Sequence, residues 1–282
     1  MDKKAKIAIA GISAAVIILA VAIGIYVVKK LTPGNEVMLL TDYYKVDDGE
    51  VLIILQDEIY DKPGIIADGN VYIDYETVIR EFNHRFYWDQ NENVLVYTTP
   101  TEIIQAEAVT NKYSITKSMI KTETVSEYPI VKIYGDKVYI ALDFVQKYSD
   151  LRYTFHVEPS RVVIEYKWGE YLFTEVEKAT QLRLDADIKS PVLAQLPIGE
   201  ELMYLTRDEA PKKGFAKVMT KDGIVGYVKE KHVKQSYYKE VQGSFVPPVY
   251  TAQTRPEKIN LVFHQVFSKD TGEKLEELIK QT

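Results

Sequence analysis

The sequence contains no cysteine and only four histidines. Without cysteine the chain can form no disulfide, no thiolate nucleophile and no cysteine-ligated zinc site. The histidines, His84, His156, His232 and His264, lie in separate segments without metal-ligand spacing, and we expect the first two to be surface or edge-strand residues. The sequence therefore predicts no bound metal and no cofactor.

Basic residues are also scarce outside the N-terminus. The first 30 residues hold five lysines and one acidic residue, so the remaining chain has 30 basic and 40 acidic residues. A nucleic-acid-binding protein needs a basic face that neutralises phosphates. The acidic body of the chain excludes nucleic acid as the expected partner.

One long apolar run lies near the N-terminus, from Ile7 to Val28, and it contains no charged residue. The run is long enough for a helix to cross a hydrocarbon core about 30 Å thick. Ala20, Val21 and Ala22 form a possible signal-peptide cleavage site, but the apolar run continues past them. We therefore expect an uncleaved transmembrane signal anchor with a cytoplasmic N-terminus, the membrane as one partner, and an extracytoplasmic body at the cell surface.

Two similar stretches, residues 69–97 and 135–166, form an internal repeat. Each contains a glycine turn followed by the same strand sequence, Val71-Tyr72-Ile73 in the first and Val138-Tyr139-Ile140 in the second. A helix-like stretch, an aromatic strand, a polar turn and an apolar strand follow in both. Asp74 is the predicted N-cap of the first helix. The pattern predicts a small β-α-β-β unit used twice.

This repeat resembles the stalk repeats of clostridial surface proteins, which are grouped with copper amine oxidase N-terminal domains. The resemblance covers roughly residues 37–168, and it implies a rigid spacer or interaction module. It implies no copper here, because the histidines lack ligand spacing. Residues 101–126 alternate apolar and polar types, and we interpret them as strands that open the second unit.

Residues 177–236 consist of short strands separated by turns. Lys221-Asp222-Gly223 is typical of a hairpin turn, and Gly226-Tyr227-Val228 of a strand that follows it. This segment resembles a bacterial SH3 domain, which implies a small β-barrel. In that family an asparagine usually precedes the arginine that corresponds to Arg183, and a tryptophan usually stands at the position of Phe215. Leu182 and Phe215 depart from this pattern at positions that in the family often line the peptide groove, while the pattern of the fold is kept.

The SH3 resemblance implies a set of ligand-binding candidates in the predicted barrel: Arg183, Asp185, Tyr204, Phe215 and Tyr227. For Phe215 and Tyr227, packing in the hydrophobic core is the alternative role. No pair of residues in this segment has the pattern of a catalytic nucleophile and base. We therefore expect binding and no catalysis here.

A linker rich in proline, residues 237–257, precedes the run Ile259 to Phe267, whose β-branched and aromatic residues predict a strand buried on both faces. With the preceding domains, this run resembles the start of the (β/α)8 barrel of family-18 glycoside hydrolases. That family cleaves next to N-acetylglucosamine with an Asp-x-x-Asp-x-Asp-x-Glu signature, which this chain lacks. The resemblance therefore implies an enzyme whose catalytic residues lie outside the chain, and the chain alone is expected to be inactive.

Together these patterns predict an α+β, mostly β fold with an N-terminal transmembrane helix, two β-α-β-β stalk units, an SH3-like β-barrel and an incomplete (β/α)8 barrel. The predicted segments are the anchor 1–30, a tether 31–36, stalk units 37–100 and 101–170, the SH3-like barrel 177–236, the linker 237–257 and the barrel start 258–282.

The expected function is the anchoring, spacer and wall-targeting region of a surface glycosidase that acts on peptidoglycan or a chitin-like glycan. The expected ligand is cell-wall glycan or peptide. The alternative is a complete non-enzymatic wall-binding or adhesion protein.

Overall fold

A computed structural model describes residues 3–205 and 214–243 of the chain, with side chains from residue 17 onward. The predicted barrel start 258–282, with His264, and most of the linker 237–257 lie outside the described residues. The described part of the chain contains far more strand than helix, so the fold is mostly β.

The described helices are few, and all except the first are short. They are α1 Lys3–Leu31, α2 Leu40–Tyr44, α3 Tyr75–Thr77 with a π-helical turn Val78–Phe82, α4 Leu142–Tyr148 and a 3₁₀ turn Glu230–His232. The predicted N-cap of α3 is confirmed, because Asp74 Oδ2 accepts a hydrogen bond from the Thr77 backbone N–H at 3.2 Å. That bond satisfies one of the free donors at the helix start.

Twenty strands form three sheets in the described residues. The first ten are β1 Glu50–Leu55, β2 Glu58–Ile59, β3 Gly64–Ala67, β4 Asn70–Asp74, β5 Phe86–Asp89, β6 Val94–Thr98, β7 Glu102–Glu107, β8 Lys112–Lys117, β9 Ile120–Val125 and β10 Val131–Tyr134. The others are β11 Lys137–Ala141, β12 Arg152–His156, β13 Arg161–Glu165, β14 Gly169–Glu175, β15 Thr180–Arg183, β16 Val192–Leu196, β17 Glu201–Tyr204, β18 Phe215–Met219, β19 Val225–Lys229 and β20 Tyr237–Val241.

Sheet I combines strands of both repeats in the order β10-β11-β4-β3-β1-β13-β12, with β2 beside β1. At its centre β4 and β11 run antiparallel, and Ile73 lies opposite Ile140. These two residues hold the same position in the two copies of the repeat. The repeats are therefore related by a local two-fold axis between β4 and β11, and they share one sheet.

The β-α-β-β order of elements is present in both repeats, but each repeat divides its strands between partners outside itself. In the second repeat, β13 pairs in parallel with β1, which places Ile53 opposite Val162. In the first repeat, β5 and β6 belong to sheet III, whose order is β5-β6-β7-β8-β9. Strands β7 to β9 of residues 101–126 extend sheet III from β6 of the first repeat, whereas we had expected them to open the second unit.

The main core lies under the short helices, between sheet I and sheet III. Val78, Leu142 and Val145 are fully buried there, and Phe86 and Ile104 meet them from sheet III. Apolar residues three positions apart on α4 face the core, which explains why so short a helix is retained. Tertiary packing stabilises this helix far more than its own propensity does.

Sheet II contains the SH3-like strands in the order β16-β15-β19-β18-β17-β14-β20. The predicted Lys221-Asp222-Gly223 turn joins β18 to β19, which pair antiparallel. However, β14 and β20 add to the edge beside β17, and β16 forms the opposite edge. The ladder of the described strands is open, so the predicted closed barrel is wrong.

The predicted transmembrane helix is also corrected. Within the part of the chain that the structure describes with side chains, no helix is long and apolar enough to cross a membrane.

Sheets I and II are joined by buried contacts around the β18–β19 turn. The Tyr44 hydroxyl donates to the Gly223 carbonyl at 2.8 Å, and the Arg161 Nε donates to the Asp222 carbonyl at 2.8 Å. Ile54 and Val163 of sheet I pack with Met203 and Met219 of sheet II in a separate small core. The stalk-like and SH3-like regions therefore share a hydrophobic contact.

Candidate binding site

The five sequence-predicted binding residues lie around sheet II, but they do not line one groove. Arg183 and Phe215 line one cavity, Asp185 and Tyr227 line a second, and Tyr204 lines a third. The five candidates therefore lie around one sheet but divide among three depressions.

The first depression, which we call the basic cavity, has a volume of about 470 Å³. Its described lining residues are Pro33, Ala179, Thr180, Gln181, Arg183, Gln195, Leu196, Pro197, Phe215, Lys229 and His232. Three of these side chains can carry positive charge, and none is acidic. The lining of this cavity is therefore basic, although the net charge of the whole chain is −6.

Arg183 lines the basic cavity and is only 3% exposed. Its Nη1 donates to the Ser190 carbonyl at 2.6 Å, and its Nη2 donates to the Gly34 carbonyl at 3.0 Å and to Gln181 Oε1. These acceptors are neutral, so the guanidinium charge is not cancelled by an ion pair. Burial lowers the pKa of Arg183, and Asp187 opposes that effect.

Lys229, at the end of β19, is half-buried and has no ion-pair partner among the described residues. Burial lowers its pKa, and the charges of Lys231 and Arg183 lower it further. An ammonium held beside other cations is stabilised when an anion binds near it. Lys229 therefore supplies a charged donor that an anionic ligand can use.

His232 closes the same cavity from the 3₁₀ turn after β19. Its Nδ1 lies 2.7 Å from Thr180 Oγ1, a hydrogen bond that fixes the ring. Burial lowers the pKa of His232, and Lys229, Lys231 and Lys178 add to the shift. The imidazole is therefore mostly neutral near pH 7, and it gains a proton more readily once an anion occupies the cavity.

Phe215 is 9% exposed and contributes an apolar wall to the basic cavity. Its backbone pairs with Lys229 across β18 and β19, which explains why the ring and the ammonium reach the same space. The side chain is mostly buried, so core packing and cavity lining are both real roles of this residue.

The second depression, about 480 Å³, is lined by Asp185, Tyr227 and Tyr43 together with residues of the β1–β2 turn. The Tyr43 hydroxyl donates to the Val225 carbonyl at 3.1 Å, and burial followed by the proximity of Tyr227 raises the pKa of Tyr43. Asp185 is exposed, and its backbone N–H donates to Ser190 Oγ at 2.8 Å. Tyr204 lines a neighbouring depression of about 250 Å³.

Sequence reasoning did not place Lys229 and His232 beside Arg183 in the basic cavity. The signal available was the basic run Lys229 to His232, which contains one acidic residue, Glu230. What the sequence does not contain is the pairing of β15 with β19, which places Arg183 beside this run. Among the described residues, no group of three or more His, Cys, Asp or Glu side chains could hold a metal ion.

Comparisons with known proteins identify no relative. No family model, no curated protein and no solved structure matches the chain.

Proposed function

We propose that the chain is the spacer and wall-targeting region of a surface glycosidase that acts on N-acetylglucosamine-containing glycan, and that the basic cavity binds an anionic group of the cell wall. The observation behind the targeting role is the cluster of Arg183, Lys229 and His232 around one cavity without an acidic lining residue. The glycosidase role rests on the resemblance of residues 258–282, which lie outside the described part.

The ligand group that fits best is a carboxylate of a wall peptide. Lys229 and the His232 Nε2 offer donors, and hydrogen bonds between charged groups are roughly twice as strong as neutral ones. Arg183 contributes its charge more than its donors, because most of those already bind carbonyl and amide oxygens. Phe215 and Leu196 provide apolar surface for the carbon atoms next to the carboxylate.

Co-sedimentation of the full chain with purified wall sacculi tests this function. Lys229→Ala should lower the bound fraction severalfold at low salt, and His232→Ala should lower it less. Lys137→Ala is the matched control, because Lys137 is an exposed lysine on β11 in a different sheet. It removes the same charge and should leave binding unchanged.

Two further preparations distinguish the sources of the anion. Sacculi from which the stem peptides have been cleaved should lose the Lys229-dependent binding, whereas sacculi stripped of phosphate polymers should keep it. The opposite result would assign the cavity to a phosphate polymer. Equal binding by the wild-type chain and Lys229→Ala on every preparation would overturn the proposed site.

The alternative, a non-enzymatic wall-binding protein, predicts the same binding. The reading frame beyond the codon of Thr282 separates the two. A frame that continues into a barrel with the acidic signature supports the glycosidase, and a stop codon there contradicts it.

A further inference from the structure

Strand β9 forms one edge of sheet III, where it pairs with β8 alone among the described strands. Five of its residues, Ile120, Lys121, Thr122, Glu123 and Val125, are exposed, and Met119 in the preceding turn is fully exposed. An exposed edge strand presents unpaired backbone N–H and C=O groups to any further strand. The composition of this edge indicates which strand it suits.

The backbone direction of β9 follows from its turn. Ser118 and Met119 both have positive φ, 49° and 67°, as the two central residues of a type I′ hairpin turn require. Such a turn closes with a hydrogen bond between its first and fourth residues, so Ile120 directs its backbone groups towards β8. In an antiparallel ladder the direction alternates, so the backbone groups of Lys121 and Glu123 point away from the sheet. The Ser126 N–H, which donates to the Asn111 carbonyl at 2.7 Å, agrees with this alternation.

We propose that β9 pairs antiparallel with β9 of a second copy of this chain, about a two-fold axis through Thr122. In this register Lys121 lies opposite Glu123 of the second copy, and Glu123 lies opposite Lys121 of the second copy. These are the two residues whose backbone groups point outward, so each pair exchanges both backbone hydrogen bonds. The side chains of each pair also have opposite charge, which stabilises directly opposed residues.

The flanking residues fit the same register. Met119 lies opposite Val125 of the second copy, and both are exposed in the single chain, at 100% and 65%. Thr122 lies opposite Thr122 of the second copy, a favourable pair on the other face. The pairing would thus cover the apolar tip of the hairpin and leave no charge unopposed.

Charged residues on an edge usually discourage pairing. If β9 carried charges of one sign only, self-pairing would be discouraged, because like charges of the two copies would lie opposite one another. Lys121 and Glu123 have opposite signs, share one face and stand symmetrically about Thr122, so self-pairing opposes unlike charges. Neither side chain has an ion-pair partner among the described residues. A pairing limited to one strand buries little surface, so we expect a weak dimer, as for interfaces below about 1,200 Å².

A charge swap tests the register. In sedimentation equilibrium of the full chain in a mild non-ionic detergent, which keeps the exposed apolar side chains of α1 covered, Lys121→Glu and Glu123→Lys should each weaken the dimer at least tenfold. Each variant places like charges opposite one another twice. The double variant Lys121→Glu with Glu123→Lys restores unlike pairs and should recover the wild-type association. A double variant as monomeric as the single ones would overturn the proposal.

Cross-linking provides an independent measurement, because the chain has no cysteine of its own. Thr122→Cys places two thiols opposite each other, at a Cα separation of about 4.5 Å that a disulfide can span. With diamide as oxidant it should form a covalent dimer. Ile120→Cys is the matched control on the same exposed strand, and it lies opposite Thr124 of the second copy. Equal cross-linking of the two variants, or none with Thr122→Cys, would contradict the two-fold axis.

Discussion

Arg161 Nη2 in β13 lies 3.0 Å from the Asp222 Oδ2 in the turn between β18 and β19. The Arg161 side chain is 4% exposed and that of Asp222 is 41% exposed. The same guanidinium also donates to the Asp222 carbonyl at 2.8 Å and to the Glu158 carbonyl at 2.9 Å. One buried arginine therefore links sheet I to the turn of sheet II through an ion pair and through backbone carbonyls.

Replacing Arg161 should destabilise the chain more than replacing its charged partner. Arg161→Ala leaves buried carbonyls without donors, and we expect a loss of about 2–3 kcal/mol in the free energy of unfolding. Asp222→Asn removes only a half-exposed carboxylate and keeps the carbonyl contact, so we expect a loss of about 1 kcal/mol or less. Urea denaturation monitored by tryptophan fluorescence measures both. Equal losses would show that the ion pair, and not the carbonyl contacts, stabilises the junction.

Gly223 leaves no room for a side chain between the same two sheets. A Cβ at this position would lie 2.5 Å from Ile54 Cδ1 and 2.8 Å from Val163 Cγ2. We expect Gly223→Ala to cost about 1–3 kcal/mol more than Gly49→Ala, because overpacking adds to the backbone strain. Gly49 is the matched control, since both glycines have φ of +81° and nothing lies within 4 Å of a Cβ at Gly49. Equal unfolding free energies of Gly223→Ala and Gly49→Ala would mean that the two sheets accommodate the extra methyl group without a loss of stability.

His156 should make the fold sensitive to mild acid. Its buried Nε2 has no hydrogen-bond partner in the described part of the chain, and burial followed by the charge of Arg161 lowers its pKa, while Asp222 opposes the shift. As the pH is lowered, His156 of the unfolded chain therefore takes up a proton near the ordinary histidine pKa of about 6.5, and His156 of the folded chain does so only at a lower pH. The contribution of neutral His156 to the free energy of unfolding should be fully present above that pH, and it should be lost as the pH decreases towards the folded-state pKa.

Urea denaturation at pH 7.5 and pH 5.5 measures this effect. His156→Gln should reduce the loss of stability between the two pH values, whereas His84→Gln, a change at an exposed histidine, should not. His232, whose pKa is also lowered, keeps part of the pH dependence in both variants. An identical pH dependence in His156→Gln and the wild type would contradict the role of His156.

The basic cavity should also respond to the loss of one of its charges. Lys229→Ala removes a cation next to His232, so the pKa of His232 should rise towards its ordinary value. NMR titration of the imidazole resonances measures this, with Lys137→Ala as the control. An unchanged His232 titration in Lys229→Ala would show that the two side chains do not share the cavity.

The sequence predicted much of the local structure, because strands, turns and caps depend on neighbouring residues. The cap at Asp74 and the turn at Asp222 and Gly223 follow from short patterns of this kind. The pairing of β1 with β13 does not, since parallel partners far apart in sequence carry no local signal for their register. The closed barrel failed for a similar reason, because β14 and β20 join sheet II from outside the SH3-like segment.

In the candidate site, too, some residues could be predicted from local sequence patterns and others depend on strand order. Arg183 and Phe215 could be named from a family resemblance, and they do line one cavity. Lys229 and His232 reach that cavity only because β19 lies beside both β15 and β18. Their proximity to Arg183 depends on strand order, which the basic residues themselves do not specify.

The pairing of β1 with β13 has a consequence for synthesis on the ribosome. When β1 emerges, the strand that will cover its Leu52 to Leu55 backbone has not yet been translated. About 110 residues separate the paired positions, so at roughly 5–20 residues per second the wait is on the order of 5–20 seconds. During that time an apolar strand remains open on one side. Sheet I therefore cannot be completed before the second repeat has been made.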